Sequence, residues 1–429
     1  MQRWISWRRR RLAPFLVIWG GFTVIVIALI YTGTINTEPP PDIVQNTLPS
    51  VTISPMPETP PPFTPIPLEA ERFDLGVFVR ETQPNVPPDV MDGYLNAARN
   101  QLNLNWIRLQ IRWDFVETEA GVYNWAPWDT VFESVAAHDL NVLVTVTGTP
   151  DWLLPPEMAT RDDLVAAPPD PDAFAAFIVE LIRRYPNQMQ ALEIWQEINL
   201  ESGWASPNGL NAADYVALVE AVRAAVRPLD ADLLLISGAL EPASSAPAAI
   251  DDFVYLDELI AADLLSAVDC VGVRHNGYNI GPDVPWDAVP SNATALFRGP
   301  YDNPHHSWSF FSTLNTYARK IAAQGSQTPL CVTEFGWAVT EDLPNTPFNL
   351  RFAADNTLQE QADWTVQAIR LMQEWGFVRL AFIWNLNIGP ETGFDIAQAN
   401  IAYSLIRPGY TFAPVWDAIA ALDFRARED

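Results

Sequence analysis

The chain has 429 residues, 49% of them apolar, and a net charge of −27. That is ample for a large core, and a single α/β barrel can use most of such a length. The acidity excludes a nucleic-acid binder, which needs a basic face for phosphates, and Lys320 is the only lysine.

In chain order, four arginines at 8–11 precede an uncharged apolar run at 12–31, LAPFLVIWGGFTVIVIALIY. As a helix this run would span about 30 Å, the hydrocarbon thickness of a bilayer. Acidic residues begin only at Glu38. The positive-inside rule therefore makes 1–11 a basic cytoplasmic tail, 12–31 a transmembrane signal-anchor, and everything after it extracytoplasmic. A cleaved signal peptide is the rival. It calls for a shorter apolar region and a small-x-small site, for which only TGT at 32–34 is available. The expected location is the cell membrane, with a single pass. Residues 32–70 are dense in proline and carry no periodicity, as in EPPPDIVQNTLPS. They read as a semi-rigid extracytoplasmic linker.

From 71 to 429 strand-like and helix-like segments alternate. The strands are predicted at 74–79, 105–113, 141–147, 189–195, 233–239, 267–273, 329–335 and 379–386. Clear amphipathic helices are predicted at 172–185, 212–226, 309–323 and 360–375, with a last one in APVWDAIAAL. Eight strands alternating with helices point to a parallel sheet closed as a (β/α)8 TIM barrel. A doubly wound open sheet is the fold alternative, but it wants a glycine-rich turn after its first strand, and GVFVRETQPN has none. Cys270 and Cys331 each sit in an apolar, strand-like run without metal-ligand spacing. Two buried free thiols are expected rather than a disulfide.

Function in a parallel barrel gathers at the C-terminal ends of the strands. The fourth strand ends in Trp195-Gln196-Glu197, and the seventh in Thr333-Glu334-Phe335. Two carboxylates so placed face each other across the mouth. Cleavage of a glycosidic bond needs such a pair: one carboxyl protonates the leaving oxygen, while the other attacks the sugar carbon or activates water. Their mutual repulsion helps keep the acid protonated. Arg108 on the second strand would hold the nucleophile charged, or pair with Glu193 inside the barrel. Trp152 and Trp204, in loops flanked by Gly and Pro, suit the apolar faces of sugars. A lone Glu at a strand end is more often solvated or salt-bridged; the joint placement of two lifts the functional reading. His305-His306 could ligate a metal, yet adjacent histidines seldom converge on one ion. No metal and no cofactor are called for. Glu117 and Glu119 read as braces of a loop.

These motifs resemble the retaining (β/α)8 glycoside hydrolases with the acid/base on strand 4 and the nucleophile on strand 7, the superfamily of cellulases, β-mannanases and β-xylosidases. The resemblance runs through WDFVETEAGVYNWAPWD, VLVTVTGTPDWL, LEIWQEINLESGW, CVTEFGWA and AFIWNLN. It implies Glu197 as acid/base and Glu334 as nucleophile. It also implies contact between Arg108 and Glu334, Trp384 as floor of the sugar site, and Tyr278 or His275 lining it from strand 6. The chain departs from the family at Gln196, where an Asn normally bonds the sugar 2-hydroxyl, and at Ile198, where a Pro is usual. It departs again at Arg274, where a His is common. The expected function is a membrane-anchored retaining hydrolase of β-linked glycans, with carbohydrate as its partner. The alternative is a degenerate barrel that binds envelope or extracellular polysaccharide without cleaving it.

Overall fold

A computed structural model describes residues 70, 72–80, 88–159, 164–290 and 305–424. The predicted tail and anchor and all but the last residue of the predicted linker lie outside the described residues. Among the described residues, no helix is long and apolar enough to cross a membrane.

Eight parallel strands form one sheet: β1 (Asp74–Phe78), β2 (Trp106–Arg112), β3 (Asn141–Thr147), β4 (Ala191–Ile194), β5 (Leu234–Ser237), β6 (Val271–Gly277), β7 (Leu330–Trp337) and β8 (Val378–Ile383). Their order is β5-β4-β3-β2-β1-β8-β7-β6. Parallel bridges Ile236↔Cys270 and Leu240↔Val273 join the two outer strands, so the sheet closes into a barrel. The eight predicted strands are all present. The sixth runs Val271–Gly277, later than predicted, and Ala267 ends a helical turn instead.

Alternation along each strand builds two apolar layers. Trp106, Leu143, Ala191, Leu234, Ile236, Leu380 and Phe382 pack inside the barrel with both cysteines. Residues of the opposite parity, such as Ile107, Val144, Leu192 and Val332, pack outward under the helices. Gly76 is required by this interior: a Cβ there would lie 2.5 Å from the Phe382 ring and 2.7 Å from the Trp106 carbonyl.

The covering helices begin on side-chain caps. Asp170 caps α1 (Pro171–Arg184) and Asn211 caps α2 (Ala212–Val226). Asp251 caps α3 (Asp252–Ala261) and Ser309 caps α4 (Phe310–Ala323). Thr357 and Glu360 form a full capping box on α5 (Leu358–Trp375), which stops at Gly376 with φ 71°.

Cys270 and Cys331 are disulfide-bonded, which corrects the expectation of free thiols. Both sit on inward positions of neighbouring strands, with Cα atoms 5.8 Å apart. An apolar flank shows that a cysteine is buried. Only the register of β6 against β7 shows that two of them meet.

Candidate active site

Glu197 stands just beyond β4, and Glu334 lies near the end of β7. They share one guanidinium. Nη1 of Arg274 donates to Glu197 Oε1, and Nη2 donates to Glu334 Oε1 at 2.6 Å. Nε of Arg274 lies 3.0 Å from Oε2 of a third carboxylate, Glu241. Asn276 Nδ2 donates to Glu334 Oε1 at 2.7 Å, and Arg108 Nη1 stands 3.6 Å from Glu334 Oε2.

A bulge aims Glu334. Arg274 pairs with Glu334 although the preceding pair is Val273 with Val332, so β7 carries one extra residue there. The extra residue lets Thr333 and Glu334 both face the lumen, where strict alternation would turn one of them outward. Thr333 Oγ1 donates to Glu193 at 2.8 Å, while Glu334 meets Arg274. On β6 the alternation is regular, so Arg274 and Asn276 point inward and His275 points out. His275 is fully buried, with Nε2 3.0 Å from the Ser307 carbonyl and its ring against Phe310. Burial lowers its pKa to about 4. His275 therefore does not line the mouth, contrary to expectation.

Glu197 is held by a strained turn. Trp195 and Glu197 both take left-handed φ, 70° and 53°. For residues other than Gly this costs about 1–3 kcal/mol and clusters at functional sites. The turn is fastened by the Trp195 indole donating to the Gly203 carbonyl at 2.7 Å and by Glu197 N–H donating to the Ala239 carbonyl. Asn199 clamps Glu241 by bonding both its backbone N–H and its carbonyl, each at 2.8 Å.

Below the mouth, Glu193 is completely buried and fully bonded. It accepts from Arg108, Thr145, Thr333 and the Ala239 N–H. Arg108 thus serves both alternatives: it pairs with Glu193 at 3.0 Å and approaches Glu334. Its Nη2 also donates to Gln196 Oε1 at 3.0 Å.

Four carboxylates here face two guanidiniums, so the cluster favours holding a proton. Among them, Glu241 has a raised pKa. Poor solvation pushes its pKa up to about 7 against the pull of Arg274, and the charges of Glu197 and Glu334 add to the rise. About a third of its side chain still reaches solvent. Sequence reasoning missed Glu241 and Asn276. The signal was present in LLLISGALE, where a carboxylate follows the fifth strand closely, and in the shared parity of Arg274 and Asn276.

The aromatic residues divide. Trp384 packs on Phe78 with centroids 4.4 Å apart, beside Tyr278 and Tyr403 in the small cluster at the end of β8. Its Nε1 is buried without a hydrogen-bond partner among the described residues. A cis peptide bond joins Trp384 to Asn385. Tyr278 is half-buried, edge-on to Phe352. Trp152 is 39% exposed, with its indole on the Glu117 carbonyl. Glu117 braces its loop by accepting from Trp113 Nε1 and Gly121 N–H. Trp204 is only 2% exposed and packs edge-on against Trp195 and Tyr215. It is a core residue rather than a sugar platform, because the loop after β4 folds back behind the strand.

No family model and no curated protein matches the sequence. Solved structures do match. A family 39 glycoside hydrolase from Bacteroides cellulosilyticus WH2 aligns with a TM-score of 0.56 and 16% identity, over 82% of this chain and 63% of that one. The exo-β-1,4-mannosidase Op5Man5 from Opitutaceae bacterium strain TAV5 aligns with a TM-score of 0.53 and 13% identity, over 85% and 63%. The fold that this chain shares with them is a (β/α)8 barrel. The chain spans 63% of the length of each of these two proteins. It matches 94% of the shorter xylanase 10B from Thermotoga petrophila RKU-1, at 13% identity and a TM-score of 0.50.

Proposed function

We propose that this chain is a membrane-anchored, extracytoplasmic glycosidase that hydrolyses β-linked glycans with retention. The observation that carries the reading is the pair Glu197 and Glu334, from strand ends 4 and 7, on a single guanidinium at the barrel mouth. Carboxyls held on one guanidinium stand close enough to act as a pair on one glycosidic bond, and retention calls for a separation of about 5–5.5 Å once Arg274 has moved aside.

In the proposed reaction Glu334 attacks the anomeric carbon while Glu197 protonates the departing oxygen, and the glycosidic C–O bond breaks. Water then gives its proton to Glu197, attacks the same carbon and frees Glu334. Arg108, Arg274 and Asn276 surround the Glu334 carboxylate and orient it. Gln196 Oε1 faces Arg108, which can only donate, so its amide nitrogen is the end left to donate to a sugar hydroxyl. Arg274 must leave Glu197 before a sugar can enter between the carboxyls, and its separate Nε contact to Glu241 need not break for that. The disulfide supports an extracytoplasmic site, since such bonds persist in oxidising compartments.

A second reading, glycan binding without cleavage, is favoured by the same Arg274, which fills the gap between the two carboxylates. A panel of aryl β-glycosides separates the two. Turnover is expected on at least one substrate, and Glu334→Ala should lower kcat by at least about 1,000-fold. A wild type inert on every substrate, yet binding glycans equally well in Glu197→Gln and Glu334→Gln, establishes the binder instead.

A further inference from the structure

Away from the carboxylate cluster, the structure brings together two histidines that adjacency in sequence would ordinarily splay apart. His305 is extended and His306 opens a 3-10 turn, which leaves their rings side by side with centroids 4.2 Å apart. Both present Nε2 to the same oxygen, Asp251 Oδ2, His306 at 2.8 Å and His305 at 3.6 Å. Asp251, His305 and His306 are the only group of this kind among the described residues, their donor atoms lying within 4.8 Å of one another.

We propose that these three residues bind one divalent transition-metal ion of the zinc type, tying the loop after β5 to the segment that enters α4. With bonds of about 2.0–2.2 Å, donors on one tetrahedral ion stand roughly 3–4 Å apart. The 3.6 Å separation from His305 to Asp251 Oδ2 lies in that range, and the 2.8 Å from His306 lies just below it. The carboxylate is already oriented: Oδ1 accepts the Phe253 and Val254 N–H groups at the start of α3, leaving Oδ2 for the ion. Phe253 stacks on His306 with centroids 3.6 Å apart and fixes the ring. Asp252, fully buried and bonded to Tyr317 and the Ala243 N–H, adds a second negative charge 3.8 Å from His306 Nε2. Two imidazoles and a carboxylate suit zinc, whereas calcium and magnesium want six or more oxygens. Three protein ligands leave a fourth position for water. The Ser307 N–H reaches His305 Nδ1 at 3.2 Å. A metal on Nε2 puts the ring proton on Nδ1, so loading opens that long contact.

The consequence reaches the mouth. Glu241 lies on the loop that leads to Asp251, and the Ser307 carbonyl holds His275 beside Arg274. The site does not depend on the glycosidase reading.

The chain has only four histidines. Of the other two, His275 is buried and His138 sits by Asp92, so a titration is clean. The full-length chain is stripped with EDTA and titrated with zinc sulfate by calorimetry, with bound metal counted by elemental analysis. One zinc per chain is expected, at micromolar affinity or tighter, with a rise in thermal midpoint. His306→Gln and Asp251→Asn should each weaken binding by more than about 100-fold, beyond the loss typical of an outer-shell change. Asn is as good a helix cap as Asp, so Asp251→Asn keeps the fold, and circular dichroism checks it. His138→Ala should bind as wild type. Absent saturable uptake, unchanged affinity in Asp251→Asn, or loss of binding in His138→Ala each overturns the site.

Discussion

Arg274 sets the electrostatics of the mouth: one guanidinium touches Glu197, Glu241 and Glu334. A histidine in its place could be neutral at pH 7, but an arginine is always charged, so the cluster tolerates a surplus of carboxylates. Gln196 is the second departure from the resemblance, and it is tied to Arg108 rather than free. One residue over, His275 faces the opposite way and carries its own consequence. Its pKa is lowered from 6.5 to about 4 by burial. The unfolded chain therefore binds the extra proton first as pH falls, so this contribution is full above pH 6.5 and is lost as pH drops through about 4. Its ceiling is about 3 kcal/mol. Thermal midpoints measured from pH 4 to 7 should fall more steeply with acid in wild type than in His275→Gln. Equal slopes would show that His275 does not titrate with unfolding.

Among the elements, the strands were legible and their fine register was not. All eight strand positions follow from apolar runs and their spacing, since burial on both faces leaves a strong pattern. The extra residue in β7 leaves no such mark: CVTEFGW shows Thr333 and Glu334 but not that both face the lumen. Cys270 and Cys331 were read as buried but not as partners for the same reason. Their bond closes a loop of 61 residues. Cys331→Ser should cost about 4 kcal/mol if the constraint on the unfolded chain dominates. Denaturant unfolding of the oxidised wild type against this variant measures it, and a difference under about 1 kcal/mol would show that the bond is dispensable.

For the whole molecule, the proposed topology rests on the apolar run at 12–31 and the four arginines before it. The proposed anchor predicts that the full chain sediments with membranes and resists carbonate extraction, while a chain starting at residue 71 stays in the supernatant. In intact cells an added protease should reach the barrel. A full chain released by carbonate, or a barrel shielded from protease until lysis, would overturn the proposed location.

By itself the sequence determined the number and order of strands and which residue types stand at their ends. Periodicity and residue type are local properties, written along the chain. Tertiary structure decided what those side chains meet. It moved His275 and Trp204 into the core, joined the cysteines, and added Glu241 and Asn276 to the mouth. It also turned Asp251 toward His305 and His306. Most of these contacts join segments distant in the chain, set by sheet register and loop packing that no local pattern encodes.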